Sequence, residues 1–246
     1  MVKVIGVTQA RVGSTRLPNK VLLKINDNTL LGYHLNRLLK TKKVTKWIVA
    51  TTNEEGSDQI VKISNMFEVS TFKGDTENVL NRFYESVKYE NPDYVVRVTS
   101  DCPLIDPSLI DTVISYTIEN GLEYCRTSEW YPDGFDVEVF KFSELEYANF
   151  NAKLSSDKEH VTPFIRKRAQ ENSQIIDYDN NCNHSEIRLT VDEEEDFKTI
   201  QVLIDVLGPD KCWKEYTQFV IDNPSLFNNQ SITRNEGFFN SLKNDK

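Results

Sequence analysis

The sequence has no long apolar run and few cysteines. No stretch reaches the roughly 20 apolar residues that span a bilayer, and Arg11 interrupts the only early apolar segment, so we expect neither a membrane span nor a signal peptide. The four cysteines are widely spaced without a C-x-x-C pair, which is typical of neither a zinc site nor a disulfide framework. We therefore expect a cytoplasmic protein with reduced thiols and no membrane partner.

The charge balance and the absence of two glycine motifs exclude further classes of protein. A general nucleic-acid binder presents a basic face, whereas this chain carries a net charge of -9, so no nucleic-acid partner is expected. The sequence contains neither the dinucleotide fingerprint G-x-G-x-x-G nor the P-loop G-x-x-x-x-G-K-[ST]. Neither of those phosphate-binding mechanisms can be assumed.

Strand and helix patterns alternate along the first half of the chain. Strands are predicted at 4–7, 47–51, 67–72 and 94–98, and helices at 30–39, 57–66, 79–87 and 107–120. In the first helix the leucines form one apolar stripe, with His34 and Arg37 elsewhere on its surface. This alternation predicts an α/β fold with a mostly parallel, mixed sheet and helices on both faces.

The second half has shorter predicted elements. Strands are expected at 123–126, 135–140, 174–178 and 187–191, and helices at 143–150, 157–170 and 193–207. Helix 157–170 would carry Pro163 within its first two turns. Near the end, Phe238, Phe239 and Leu242 are expected to pack back as a short helix or to contact a partner.

A cationic loop follows the first predicted strand. The stretch 9–22 carries Arg11, Arg16 and Lys20 around Gly13, and the first 26 positions contain no acidic residue. Backbone N–H groups around a glycine and forked guanidinium donors suit phosphate oxygens. Open α/β sheets bind ligands at the carboxyl ends of their strands, which favours a nucleotide polyphosphate here over the alternative, a solvated surface loop.

Two aspartates stand at the ends of predicted strands. Asp101 follows strand 94–98, and Asp192 follows strand 187–191. Carboxylates across the same sheet edge from a phosphate loop suit holding Mg²⁺ against phosphate oxygens. The alternative for Asp101 is a loop cap, and the four acids at 193–196 favour the dipole of the helix that they begin.

Other polar residues extend this edge. Thr51, Thr52 and Asn53 end the second strand, where a base or ribose could be recognised. Asp136 and Glu138 share one face of strand 135–140 and could bind metal or substrate hydroxyls. A solvated strand face also explains this last pair.

Five motifs together resemble a known family. They are 9–22 (QARVGSTRLPNKVL), 96–106 (VRVTSDCPLID), 134–140 (GFDVEVF), 159–164 (EHVTPF) and 189–192 (LTVD). In order and spacing they resemble the SpsF-like proteins of spore-coat and surface polysaccharide synthesis, within the acylneuraminate and 3-deoxy-sugar-acid cytidylyltransferases. The resemblance covers most of the chain. It implies a GT-A-like nucleotidyltransferase fold, a CTP substrate, Mg²⁺, release of pyrophosphate and a homodimer.

The resemblance also implies roles for particular residues. Arg11, Arg16 and Lys20 would bind the triphosphate and serve catalysis, and Asp101 and Asp192 would bind the metal. Nucleotide contacts are predicted for Gln9, Ala10, Gly13, Ser14, Thr51, Thr52, Asn53, Gly74, Arg82 and Thr99. Acceptor contacts are predicted for Tyr131, Asp136, Glu138 and His160, beside Trp130. A packed or solvated side chain is the alternative for His160.

The sequence departs from the family pattern at several positions. Asn19 and Ser100 stand where the family usually has glycine, and positions 193–194 are Glu-Glu instead of Thr-Pro. Asn78 and Asn81 lie where acids are common. None of these changes removes a charge from the expected triphosphate or metal site, so they bear on loop conformation and on nucleotide or acceptor preference.

The expected function is a CTP-dependent transfer of CMP to a sugar acid, or to a sugar or polyol phosphate, for surface polysaccharide precursors. We expect one domain over 1–225, with a nucleotide-binding half at 1–122 and an acceptor-facing, dimerising portion at 123–192, followed by a peripheral segment at 226–246. One alternative is a GT-A glycosyltransferase that uses a nucleotide-sugar, although the Asp-x-Asp motif of that class is lacking at 101–103. The other alternative is a non-catalytic nucleotide-binding protein.

Overall fold

A twisted central sheet organises the computed structural model, which describes residues 2–172, 174–179, 181–232, 234, 236–243 and 245. The strands in chain order are β1 (Val4–Gln9), β2 (Lys24–Ile25), β3 (Asn28–Thr29), β4 (Lys46–Thr52), β5 (Ser70–Gly74), β6 (Tyr94–Thr99), β7 (Tyr124–Thr127), β8 (Glu138–Lys141) and β9 (Ile175–Tyr178). Strands β2 and β3 pair with each other, and the other seven strands of the described residues form one sheet. Seven positions of the predicted domain 1–225 and of the predicted peripheral segment 226–246 lie outside the described residues: 1, 173, 180, 233, 235, 244 and 246.

The sheet is mixed and mostly parallel, as predicted. Its order is β5-β4-β1-β6-β8-β7-β9, and β8 runs antiparallel to both of its neighbours. The other neighbouring pairs in this sheet are parallel. Because parallel strands end at the same edge, the loops after β1, β4 and β6 meet there.

Helices cover both faces of the sheet, which confirms the second part of the prediction. The helices in chain order are α1 (Leu30–Leu38), α2 (Ser57–Met66), α3 (Val79–Val87), α4 (Pro107–Glu119), α5 (Phe142–Asn151), α6 (Ser155–His160), α7 (Pro163–Glu171), α8 (Glu194–Leu207), α9 (Trp213–Asp222) and α10 (Glu236–Leu242). One hydrophobic core contains buried residues of α1, α2, α4, α8 and α9. A second core contains those of α3, α5 and α7. The short helix expected near the end of the chain is α10.

The alternation of side chains along the strands explains why there are two cores. In β4, Trp47 and Val49 belong to the first core, whereas Ile48 and Ala50 belong to the second. Successive side chains of a strand point to opposite faces. A strand covered on both faces is therefore apolar at every position, as is typical of parallel sheets.

No helix in the described part of the chain is long and apolar enough to cross a bilayer.

The prediction of one helix over 157–170 is wrong. The chain forms α6 and α7 instead, and between them Val161 has a φ of 72° and ends α6. Proline lacks an amide hydrogen and its ring clashes with the preceding turn, but its fixed φ suits the first position of a helix. Pro163 accordingly begins α7.

The prediction of a strand over 187–191 is also wrong, and strand 135–140 forms only from Glu138 onward. Residues 187–191 form no strand, and within them Arg188 makes an isolated parallel bridge with Asp133. The amide of Leu189 donates to the Asp133 carbonyl at 2.7 Å, and the amide of Val191 donates to the Asp101 carbonyl at 2.8 Å. This segment is bound by loops rather than by a strand, and that pairing brings its end beside Asp101.

Gly134 permits the close approach of these segments. Its φ is +112°, and a Cβ there would lie 2.6 Å from the carbonyl carbon of Leu189 and 2.9 Å from the amide nitrogen of Thr190. A side chain at this position would therefore meet backbone, which cannot move aside as a flexible side chain can.

We expect Gly134→Ala to lower the free energy of unfolding by about 2–4 kcal/mol, because backbone strain and the clash add. Gly121→Ala is the matched control, since Gly121 also has a positive φ (+63°) but nothing lies within 4 Å of its added Cβ. That control should lose only about 1 kcal/mol. Urea unfolding measures both values, and equal losses would contradict the close approach.

Candidate active site

Three charged side chains from distant parts of the chain meet at the carboxyl edge of the sheet. The Lys20 Nζ lies 3.1 Å from Asp101 Oδ2 and 2.8 Å from Asp192 Oδ1. It also donates to the carbonyl of Val191 at 2.8 Å. The two carboxylates predicted to bind one metal ion thus share one ammonium group.

Burial and the neighbouring charges shift the pKa values of Lys20 and Asp101 in opposite directions, and the charges have the larger effect. Burial lowers the pKa of Lys20, but Asp101 and Asp192 outweigh it, so that the net pKa is raised. Burial raises the pKa of Asp101, but the Lys20 ammonium and hydrogen bonds, including one from Thr99, hold it at about 2. Lys20 and Asp101 are both ionised at neutral pH.

The loop between β1 and the 3₁₀ turn Lys20–Leu22 folds back on itself. The amides of Ser14 and Asn19 both donate to the carbonyl of Val12, at 2.9 and 3.1 Å. Asn19 has a φ of 57°, a left-handed conformation that asparagine tolerates better than most residues. This conformation explains why asparagine can replace the family's usual glycine here, and it directs Lys20 toward the aspartates.

The arginines of the loop differ in their surroundings. Arg16 lies 3.0 Å from Asp192 Oδ2 and 3.6 Å from Glu193 Oε1, so the Glu-Glu departure after the second aspartate gives Arg16 an additional carboxylate partner. Arg11 is exposed and faces the buried Arg82. Burial, together with the Arg11 cation, lowers the pKa of Arg82 to about 10.

These residues border one cleft of about 770 Å³, within the range of small-molecule sites. The predicted site residues that line it are Gln9, Ala10, Arg11, Ser14, Arg16, Lys20, Arg82, Thr99, Asp101, His160 and Asp192. The cleft is also lined by the segment 75–79 and by Ser155, Lys158 and Glu159, which the sequence reasoning missed. Segment 75–79 leads into α3. The sequence analysis named Asn78 only as a departure from the family pattern and Glu159 only as part of the motif 159–164, and it gave neither residue a role in the site.

Five predicted nucleotide contacts, Gly13, Thr51, Thr52, Asn53 and Gly74, do not line the cleft. The Glu54 carboxylate packs against Gly13, where an added Cβ would meet it at 2.6 Å. The buried Thr52 donates to Glu54 Oε2 at 2.7 Å. Asn53 Nδ2 donates to the Gly74 carbonyl at 3.4 Å. Thr51 is fully buried in β4, and among the described residues its hydroxyl has no hydrogen-bond partner.

Glu138, a predicted acceptor contact, lies in a buried network. Its carboxylate forms an ion pair with Arg97, and it accepts hydrogen bonds from the Tyr124 hydroxyl and from Thr162 Oγ1. Burial raises the pKa of Glu138, but Arg97 and these hydrogen bonds outweigh it and lower the net value. The negative charge of Glu138 is thus neutralised within the fold.

The other predicted acceptor contacts occupy different places. Asp136 Oδ1 lies 2.6 Å from Arg234 Nη2, and the ring of Tyr131 packs against that of Trp213 with 5.0 Å between the ring centroids. Neither Asp136 nor Tyr131 lines the cleft. His160 lies on the cleft wall, with Nε2 at 2.9 Å from the Ser241 hydroxyl. Burial, assisted by the Arg97 cation, lowers the pKa of His160 to about 4, so the imidazole is neutral at neutral pH.

His34 and Arg37, expected on the surface of α1, are both buried instead. The two ring nitrogens of His34 lie 2.9 Å from Thr8 Oγ1 and 2.9 Å from the Cys102 carbonyl. His34 therefore supports the turn that carries Asp101. A lone histidine on a leucine-rich helix gave no signal of this role.

Asp101 and Asp192 fit the needs of a magnesium ion. Mg²⁺ is typically bound by one or two carboxylates together with substrate phosphates and water. Both carboxylates lie within hydrogen-bonding distance of one ammonium group, so they are close enough together that both would help to hold one metal ion. Within the described residues no group of three or more His, Cys, Asp or Glu could hold a metal ion, so phosphate oxygens would have to complete its coordination.

The sequence and the fold both match known proteins. The sequence profile described as cytidylyltransferase matches residues 5–227. The chain belongs to the cytidylyltransferase family. It is therefore a nucleotidyltransferase enzyme, and the predicted fold and the resemblance to SpsF-like proteins are confirmed.

Individual relatives span nearly the whole of this cytidylyltransferase. An uncharacterized protein of Methanocaldococcus jannaschii is 37% identical over 244 residues, 96% of this chain and 98% of its own. The spore coat polysaccharide biosynthesis protein SpsF of Bacillus subtilis is 31% identical over 228 residues, 89% and 94% of the two chains. The structure of a cytidylyltransferase from Leptospira borgpetersenii superposes with a TM-score of 0.88 at 32% identity, over 95% of this chain and 100% of that one.

The buried His34 makes the stability of this cytidylyltransferase depend on pH. Burial lowers the pKa of His34 from 6.5 to about 4, so between these values the unfolded chain binds a proton that the folded chain does not. Stability is therefore lost as the pH falls below 6.5, by up to about 1.4 kcal/mol per pH unit from this residue.

Urea unfolding of the wild type and of His34→Gln at pH 7, 6 and 5 measures this contribution. The wild type should lose more stability than the variant between pH 7 and 5, since the variant lacks the titrating ring. Parallel pH profiles of the two proteins would contradict the neutral, buried state of His34.

Proposed function

We propose that this enzyme transfers CMP from CTP to a sugar acid, or to a sugar or polyol phosphate, and releases pyrophosphate. The observation that carries the proposal is the meeting of Arg16 and Lys20 with Asp101 and Asp192 on the wall of one cleft. Membership of the cytidylyltransferase family supports a cytidine nucleotide. The similarity to a spore coat polysaccharide biosynthesis protein supports a role in surface polysaccharide precursor synthesis.

The charge of the triphosphate is the main obstacle to this reaction. An acceptor oxygen attacks the α-phosphorus in line, the bond from that phosphorus to the leaving oxygen breaks, and pyrophosphate departs. Arg11, Arg16 and Lys20 neutralise the phosphates and orient them, which is the principal source of catalysis in phosphoryl transfer. Mg²⁺ held by Asp101 and Asp192 would neutralise charge on the phosphate oxygens.

The part of the cleft lined by α6 suits an anionic acceptor. Ser155, Lys158 and His160 of this helix line the cleft, and the Lys158 cation can pair with a carboxylate or phosphate of the acceptor. The neutral His160 lines the cleft beside these residues, but a pKa of about 4 makes it a weak base, so the proton that an acceptor hydroxyl loses passes on to water. A hydroxyl acceptor would give a CMP-sugar and a phosphate acceptor a CDP-product.

We expect Lys20→Ala and Arg16→Ala each to lower kcat/KM for CTP by about 10² to 10³, as happens when a donor to developing charge is removed. Lys88→Ala is the matched control, because Lys88 pairs with Glu85 at the end of α3 and does not line the cleft. Steady-state assays of pyrophosphate release measure the rates, and circular dichroism verifies folding. Near-normal rates in both loop variants would remove the loop from catalysis.

The choice of nucleotide and acceptor is measured by a panel assay. Pyrophosphate release is followed with CTP, UTP, ATP and GTP against sugar acids and against sugar and polyol phosphates. We expect release with CTP that depends on one class of acceptor. Transfer from a nucleotide-sugar instead would identify a glycosyltransferase, and binding of CTP with no release for any acceptor would contradict the proposed reaction.

A further inference from the structure

We infer that Arg188 is a positioning residue that fixes the carboxylate of Asp192 for its work in the cleft; this inference rests on the proposed function. Arg188 is 4% exposed. Its guanidinium lies 2.7 Å from Asp133 Oδ2, 3.1 Å from Asp192 Oδ2 and 2.9 Å from Asp196 Oδ1. One buried cation therefore ties together carboxylates from a loop, from the cleft edge and from α8.

Asp196 extends this hold to the backbone of Asp192. Its Oδ2 accepts hydrogen bonds from the amides of Asp192 and Glu193, at 2.9 and 3.0 Å, and from Arg188 Nη2 at 3.0 Å. Burial raises the pKa of Asp196, but the hydrogen bonds from Arg188 and other donors lower the net value. Arg188 and Asp196 together hold both the main chain and the side chain of Asp192.

The two oxygens of Asp192 are divided between different partners. Oδ2 faces Arg188 and also Arg16, at 3.0 Å, whereas Oδ1 faces Lys20 at 2.8 Å. The terminal torsion of an aspartate is broad, so the carboxylate can rotate unless a partner holds it. Because Arg188 holds Oδ2, it also fixes the direction of Oδ1, which faces Lys20. Arg188 makes this contact without lining the cleft itself.

The C-terminal part of the chain completes the arrangement. The buried Asn229 donates from Nδ2 to Asp196 Oδ1 at 2.8 Å and to the Arg188 carbonyl at 3.1 Å. Gln230 Oε1 accepts the Arg188 amide at 2.9 Å. A buried cluster of charges is a costly way to stabilise a fold, and holding a carboxylate at the cleft gives this one a function.

The test compares Arg188→Lys with Arg37→Lys. Lysine keeps the positive charge but lacks the planar fork that reaches several carboxylates at once. Arg37 is an equally buried arginine, but it donates to the carbonyls of Ile105, Pro209 and Lys211 and to no cleft residue. Both variants lose buried hydrogen bonds, whereas only Arg188→Lys releases Asp192.

Mn²⁺ binding in the presence of CTP, followed by electron paramagnetic resonance, is the readout. We expect Arg188→Lys to weaken Mn²⁺ binding by about 10- to 100-fold, the usual effect of losing a residue that orients a metal ligand, and to recover much of its rate at saturating Mg²⁺. Arg37→Lys should bind Mn²⁺ within about twofold of the wild type. Equal Mn²⁺ affinity in the two variants would overturn the inference.

A second variant covers the case in which Arg188→Lys does not fold. Asn229→Ala removes the donor to Asp196 and should weaken Mn²⁺ binding several-fold, and unchanged affinity would overturn the inference. The proposed function is tested apart from this by the wild type. If the wild type binds Mn²⁺ with CTP and releases pyrophosphate while the variants are unaffected, only the role of Arg188 is contradicted. If the wild type binds no Mn²⁺ with CTP, both the role of Arg188 and the proposed function are contradicted.

Discussion

The ion pairs of Lys20 with Asp101 and Asp192 are the constraint on which the site depends. They join positions that are 81 and 172 residues apart from Lys20 in the sequence. Two carboxylates brought this close repel each other, and the shared ammonium removes that repulsion. Because β1 lies beside β6 in a parallel sheet, the loop that carries Lys20 and the turn that carries Asp101 leave the sheet at the same edge.

The sequence is informative where local pattern and topology agree. Alternating strands and helices predict a parallel sheet, and parallel strands gather their carboxyl ends at one edge, so the cationic loop and Asp101 could be placed together. Asp192 reaches that edge by another route, since residues 187–191 bond to the loops at Asp133 and Asp101 instead of forming a strand. Its position was predictable, but the structure that produces the position was not.

Side-chain surroundings could not be predicted, because they depend on contacts that no local pattern records. A carboxylate on a strand can face solvent, a ligand or a buried arginine, and Glu138 faces Arg97, Tyr124 and Thr162. Similarly, an apolar stripe on α1 does not reveal that His34 is buried on the turn of Asp101. The contribution of Asn229 to the surroundings of Asp192 arises more than 30 positions further along a polar segment without any motif.

In the proposed reaction a divalent cation and the triphosphate meet between Asp101, Asp192 and Lys20. The most direct measurement is a crystal structure with CTP and Mn²⁺, in which anomalous scattering locates the metal. We expect one peak within about 2.0–2.3 Å of oxygens from both aspartates, near the range for small hard cations, with the triphosphate against Lys20 and Arg16. A metal bound elsewhere, or phosphates remote from Lys20, would contradict the account.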